Sequence, residues 1–237
     1  MSPRLALPTP RLSDRVRTMR FMQRLALFDL DNTLVNLDEA FRVWVGEFVD
    51  EHGLGCEAAG WLIGLDAAGY PHREVFFRKV RERFALSQSV DELWSRYRRR
   101  MPYLVRCRPE VTDGLSRLRA MGWRVAIITN GTPDNQLGKI KQTGLAEAVD
   151  AYVLCGLEGV RKPEAALFEI AAERCGRTLA KGGWMIGDNL AADIAGGRAV
   201  GLRTVWIDRG TWRDHEHDAD HVVTDVLQAM EILETEG

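Results

Sequence analysis

Phe28-Asp29-Leu30-Asp31-Asn32-Thr33 is the stretch on which the reading of this chain turns. It closes the apolar run Leu25-Ala26-Leu27-Phe28, which has the length and bounds of a buried strand passing into a loop. Side chains of an extended segment alternate between faces, so carboxylates two residues apart project the same way. Asp29 and Asp31 therefore reach toward one point beyond the strand end. A buried strand has no structural use for two negative charges at one edge. Like charges that close repel unless a cation or a shared proton relieves them.

Working outward, residues 37–104 carry helical periodicity only. Phe41, Trp44, Val45, Phe48 and Val49 follow the i, i+3, i+4, i+7, i+8 spacing of one apolar face, and Gly53 and Gly55 are stops. A weaker segment covers 57–68, with Gly69, Tyr70 and Pro71 as punctuation. Phe76, Val80 and Phe84 repeat at four-residue spacing, as do Leu93, Tyr97 and Met101. This is a block of about four helices inserted after the first strand. From Pro109 the pattern alternates. Strands are expected at 125–128, 152–154, 184–186 and 204–207, separated by helices, including one beginning at Pro163, one over 191–199 and one over 224–233. Alternating strands and helices imply a doubly wound, parallel, Rossmann-like α/β sheet. The expected organisation is a core from 23–36 and 105–237, a small helical domain at 37–104, and an extension at 1–22 whose prolines and arginines oppose packing.

Bulk properties exclude several classes. A net charge of -2 gives no general attraction to nucleic acid or to a membrane surface. No apolar run approaches the roughly 18 residues of a membrane span. Cys56, Cys107, Cys155 and Cys175 are widely spaced and form no CxxC, which fits reduced thiols in a cytoplasmic protein better than a disulfide framework or a zinc site.

In a doubly wound sheet, ligands bind outside the carboxyl ends of the strands. Here strand one ends in Asp29 and Asp31, strand two in Thr129 and Asn130, the loop after strand three carries Lys162, and strand four ends in Asp188 with Asp193 a turn later. Each alone has a plain reading: Asp and Asn are turn residues, and a single Lys is usually solvated. Together they suit phosphoryl transfer to or from a small phosphorylated metabolite. Converging carboxylates make an oxygen site for Mg²⁺ shared with a phosphate. One carboxylate of the pair can attack phosphorus while the other moves protons. Thr129, Asn130 and Lys162 can hold the non-bridging oxygens.

Asp29-Leu30-Asp31-Asn32-Thr33 resembles the DxDxT signature of the haloacid dehalogenase (HAD) superfamily. Thr129 after an apolar strand, Lys162 before Pro163, and Gly187-Asp188-Asn189 followed by Asp193 are similar to its other motifs, in order, over residues 24–210. The resemblance implies that Asp29 is the nucleophile and Asp31 the general acid/base. It implies Mg²⁺ held by the Asp29 carboxylate, the Asp31 carbonyl and Asp188, with Asp193 positioning the metal or its waters. The helical block then corresponds to the α-helical cap typical of the first subclass. Dehalogenases of this superfamily lack the second aspartate, and the members acting on phosphonoacetaldehyde replace it with a small residue, so Asp31 favours a phosphatase. A sugar-phosphate mutase and a catalytically silent phosphate-binding scaffold are the alternatives. Receiver domains differ in placing their phosphorylated aspartate well after an N-terminal acidic pair.

Other features receive plainer readings. Asp214, His215, Glu216, His217, Asp218, Asp220 and His221 read as a solvated loop rather than a metal site. Arg96, Arg98, Arg99 and Arg100 read as a solvated helix face. Phe41, Trp44, Phe76 and Phe84 read as core of the helical block, and Tyr70, His72 and Arg73 as its substrate-facing residues.

Overall fold

The computed structural model describes residues 23–67, 73–212 and 215–236. The expected extension at 1–22 and the candidates Tyr70, His72 and Asp214 lie outside them. Six strands, β1 (Leu25–Phe28), β2 (Arg124–Thr129), β3 (Ala151–Leu154), β4 (Trp184–Gly187), β5 (Arg203–Ile207) and β6 (His221–Val223), form one sheet in the order β3-β2-β1-β4-β5-β6. Every pairing is parallel. The chain builds outward from β1 in both directions, so the change of direction falls beside the strand that ends in Asp29. That is where an open α/β sheet leaves a crevice.

Eleven α-helices are present among the described residues. α1 (Leu37–Glu51), α2 (Glu57–Ala67), α3 (Arg73–Arg83) and α4 (Val90–Arg100) make up the inserted block. α5 (Pro109–Ala120), α6 (Pro133–Gln142) and the short α7 (Leu145–Ala148) and α8 (Cys155–Glu158) accompany β2 and β3. α9 (Ala165–Arg174), the short α10 (Gly196–Ala199) and α11 (Val226–Glu236) complete the layers.

The period-two pattern of β1 divides the interior. Leu25 and Leu27 face a cluster with Leu167, Phe168, Ala171 and Ala172 of α9. Ala26 and Phe28 face a larger cluster that takes in Val111, Leu115 and Leu118 of α5 and Met230 and Leu233 of α11. With both faces covered, β1 is buried throughout, which is why it reads as an uninterrupted apolar run.

The inserted helices close on an aromatic cluster. Trp44 meets Phe48 at 4.9 Å and Tyr97 at 5.0 Å between ring centroids, and Phe76 meets Phe77 at 5.1 Å. Local signals set the boundaries. The Asn36 side chain accepts from Glu39 N–H at the start of α1, and Ser89 and Glu92 form a reciprocal capping box on α4. Arg96 and Arg100 of α4 are exposed and pair with Glu51 and Glu47, while Arg98 is half-buried and stacks on Trp94.

Three local expectations are corrected. The segment after β5 is not loop throughout: His221–Val223 adds β6 to the sheet edge. Asp220 anchors it by accepting from Thr204 N–H at 2.8 Å, and His221 stacks on Trp184. Three residues emerging from a polar loop carry no periodicity to read. Pro163 does not open a helix. Asn130 grips the Lys162 peptide, the chain turns with Glu164 N–H donating to Arg161 O at 2.7 Å, and α9 begins at Ala165. Residues 191–199 are not one α-helix. A π-helical turn spans Leu190–Ala195 before the single turn α10. Ile194 N–H there reaches back five residues to Asn189 O, widening the turn that carries Asp193.

Candidate active site

The site begins where β1 stops. Asp29 N–H still donates to Ile186 O on β4 at 2.8 Å, which holds the residue at the sheet's carboxyl edge. Its carboxylate turns inward and accepts from Lys162 Nζ at 2.6 Å. Lys162 also donates to Asp193 Oδ1 at 2.7 Å. Lys162 and Asp193 are 3% and 1% exposed, so this acid–lysine–acid bridge is cut off from solvent.

Each member is aimed by its neighbours. Asn130 donates from its side chain to Lys162 O and accepts from Lys162 N–H, both at 3.0 Å. The side-chain amide of Asn130 is thus spent on orienting the lysine. Asp193 Oδ2 accepts from Asn189 N–H at 3.0 Å. The approach of Asp193 requires a glycine at the end of β4: a Cβ on Gly187 would stand 2.2 Å from Asp193 Oδ2.

Asp188 joins this group. Asp29, Asp188 and Asp193 each present an oxygen within 4.8 Å of the others. Burial pushes the Asp29 carboxyl up to about 7, against the pull of Lys162 and with help from Asp193 and Asp31. Asp188 is pushed up to about 8, again by burial first and then by Asp29 and Asp193. Burial works to lower Lys162, but Asp193 and Asp29 outweigh it and hold the lysine above its ordinary range. Among the described residues, Asp188 has no ion pair, so three acids share one lysine. A hard divalent cation bound through oxygen would relieve this imbalance, and the all-carboxylate donor set fits Mg²⁺.

Asp31 is separated from that group and has its own cation. Lys139 Nζ on α6 lies 2.7 and 2.9 Å from its two carboxylate oxygens. Gln136 Nε2, one turn earlier, donates to Asp31 Oδ2 at 2.9 Å and to Thr129 Oγ1 at 2.6 Å. Gln136 and Lys139 were not singled out from sequence. Their one signal is that both fall on the face of α6 that buries Ile140, where a glutamine and a lysine need partners. Asn32 ties the same loop to α1, accepting from Asp38 N–H at 3.1 Å and donating to its carboxylate at 2.9 Å.

In the helical block, Arg73 stands over Phe41, Phe76 and Tyr97 at 5.4–5.5 Å from the ring centroids and pairs with Asp66. Burial opposes its charge, but Tyr97, Asp66 and, from the core, Asp31 hold it above its ordinary range. Phe41, Trp44 and Phe76 are buried, as core residues are. In the loop after β5, Asp218 and Asp220 pair with Arg198.

Comparison with known proteins agrees with this geometry. A phosphoserine phosphatase of Thermus thermophilus is 35% identical over 153 residues, which is 63% of this chain and 59% of that enzyme, so the chain spans little more than half of its length. A glyceraldehyde 3-phosphate phosphatase of Pyrococcus furiosus is 29% identical over 90% of this chain and 94% of its own. Among solved structures, the HAD-hydrolase YfnB of Bacillus subtilis, bound to magnesium, superposes with a TM-score of 0.72 at 21% identity, covering 90% of this chain and 99% of that one. The family model described as haloacid dehalogenase-like hydrolase matches residues 23–201. That match runs from the first strand through the π-helical turn carrying Asp193 and takes in Asp29, Asp31, Thr129, Lys162 and Asp188, so the chain belongs to the haloacid dehalogenase-like hydrolases.

Proposed function

We propose that this protein is a Mg²⁺-dependent phosphatase that hydrolyses a small phosphorylated metabolite through an aspartyl-phosphate on Asp29. The observation that carries the reading is that the two aspartates of the opening motif have separate lysines, Lys162 on Asp29 and Lys139 on Asp31. Groups held in different surroundings can take different roles. A carbon–halogen bond releases halide, which needs no proton, and gives a second carboxyl nothing to do. An alkyl phosphate releases an alkoxide, which does need one.

An Asp29 oxygen attacks phosphorus as the ester oxygen departs, and the Asp31 carboxyl delivers a proton to that oxygen. Asp31, now ionised, takes a proton from the water that attacks the aspartyl-phosphate. Inorganic phosphate leaves and Asp29 is restored. Lys162, the Thr129 hydroxyl and the Asn130 backbone hold the non-bridging oxygens. Mg²⁺, when bound by Asp29, the Asp31 carbonyl and Asp188 with Asp193 alongside, supplies positive charge to the phosphoryl group and the acids around it. Four separate thiols support a reducing, cytoplasmic setting. No helix among the described residues is long and apolar enough to cross a membrane.

Release of p-nitrophenol from its phosphate ester, with and without Mg²⁺, tests the reading. The native protein is expected to turn over only with metal, Asp29→Asn essentially not at all, and Thr129→Ala with a loss of about 10²-fold. Full activity in Asp29→Asn, or a bisphosphate requirement with little phosphate release, overturns it. For the organic part of the substrate, Arg73 supports contact with a second anionic group. Arg73→Ala is expected to raise KM for a substrate bearing a carboxylate or second phosphate and to leave KM for p-nitrophenyl phosphate nearly unchanged. An equal change in both removes Arg73 from substrate recognition.

A further inference from the structure

Gln136 and Lys139 are buried polar residues on one face of α6. Lys139 is 2% exposed, and Asp31 is its ion-pair partner. Burying an ammonium costs several kcal/mol of desolvation before its partner compensates. The carboxylate it meets is the more exposed of the two, with 23% of its side chain accessible. Asp31 lies past the end of β1, joined to Val35 by a single isolated bridge, so no strand ladder limits where its carboxyl points. α6 supplies the limit. Three hydrogen bonds from one helix face fall on the two oxygens of Asp31, and the third comes from an amide nitrogen that also donates to Thr129. The chain makes room for that amide: a Cβ on Gly131 would stand 2.8 Å from Gln136 Cδ. α6 itself is seated against the Met101–Tyr103 turn by which the chain returns from the helical block.

An acid/base group must sit within hydrogen-bond reach of the atom it protonates, and a misplacement of about 1 Å can cost 10²-fold. We propose that Lys139 and Gln136 are positioning residues that hold the Asp31 carboxyl for proton transfer and, through Gln136, fix its distance from the phosphate-binding hydroxyl of Thr129. The assignment rests on the phosphatase reading, since it needs a proton to be delivered to the leaving oxygen.

The test separates positioning from simple support of the fold by the leaving group. p-Nitrophenolate departs with little need of a proton, whereas the alkoxide of glycerol phosphate needs one. Single-turnover phosphorylation of the Mg²⁺-loaded protein is followed with both esters in wild type, Lys139→Met, Gln136→Met, Asp31→Asn and the Lys139→Met/Asp31→Asn pair. Lys139→Met is expected to lose about 10²-fold with glycerol phosphate and less than about 10-fold with p-nitrophenyl phosphate. Gln136→Met is expected to show the same split at smaller size, and the double variant to be no slower than Asp31→Asn alone. Lys139→Arg, which keeps the charge and the donors, is expected to recover part of the glycerol phosphate rate. Equal losses with the two esters, multiplicative losses in the double variant, or wild-type rates in Lys139→Met overturn the assignment and leave the phosphatase reading standing. If Lys139→Met does not fold, Gln136→Met decides, and an unchanged ratio of the two rates counts against the proposal. A wild-type protein that cleaves neither ester overturns both.

Discussion

Asp188 is the acid whose charge the protein supports least. It shares the buried edge of the sheet with Asp29 and Asp193, and Lys162 bonds to the other two. Burial and these neighbours push Asp29 to about 7 and Asp188 to about 8, from an ordinary value of 3.8. Between about pH 4 and 8 the folded protein therefore binds more protons at this pair than the unfolded chain does. The sign follows: the pair's contribution to stability is present at low pH and is lost as pH rises through these values. Metal-free protein is expected to lose thermal stability at this site from pH 5 to 8, and Asp188→Asn to flatten that slope. Millimolar Mg²⁺ is expected to restore more stability at pH 8 than at pH 5. Melting curves with chelator or Mg²⁺ across this range check it, and an identical slope in Asp188→Asn removes the acid cluster as the cause. At this scale Asp29, Asp31, Thr129 and Asp188 were legible because a polar residue just after an apolar run stands out, and Lys162 and Asp193 because they follow in the loops after β3 and β4. Lys139 and Gln136 were not, because on a helix a buried polar residue looks like any other until its partner is known.

The element that does most to arrange the site is the π-helical turn after β4. Its extra residue brings Asp193 back over Gly187, where a side chain at 187 would collide with it. Gly187→Ala is expected to displace Asp193, break its contact with Lys162 and lower kcat by about 10²-fold or more while far-UV circular dichroism stays native. Retained activity would mean that the turn has slack it does not show here. The turn at Pro163 makes the complementary point. A proline there reads as a helix start, yet the chain first completes a turn gripped by Asn130, and only then begins α9. Both deviations lie beside site residues, Lys162 before Pro163 and Asp193 within the π-helical turn. Periodicity cannot report them, since local propensity is satisfied either way.

Across the whole molecule, one apolar cluster runs from Phe28 and Val125 in the sheet through Leu34 and Phe41 to Trp44, Phe76 and Tyr97 in the helical block. The apolar interior of the block is thus continuous with that of the sheet. Phe76 is 1% exposed, and Phe76→Ala is expected to cost about 3–5 kcal/mol. Because the cluster is continuous, the loss is expected to shift a single unfolding transition. Tryptophan fluorescence, with Trp44 in the block and Trp184 in the sheet, should coincide with far-UV circular dichroism. Two separated transitions would show that the block melts by itself.

By itself the sequence determined the alternation of strands and helices, the inserted helical block, and the set of residues delivered to the carboxyl ends of β1, β2 and β4. These follow from hydrophobic periodicity and from the rule that polar groups gather where strands end. Only the tertiary structure decided which lysine serves which aspartate, that Asn130 orients Lys162, and that β6 completes the sheet. The side-chain pairings join residues more than thirty positions apart, and more than a hundred in the cases of Lys139 with Asp31 and Lys162 with Asp29. A charge finds its counterion through the packing of whole elements, and spacing along the chain holds no record of that distance.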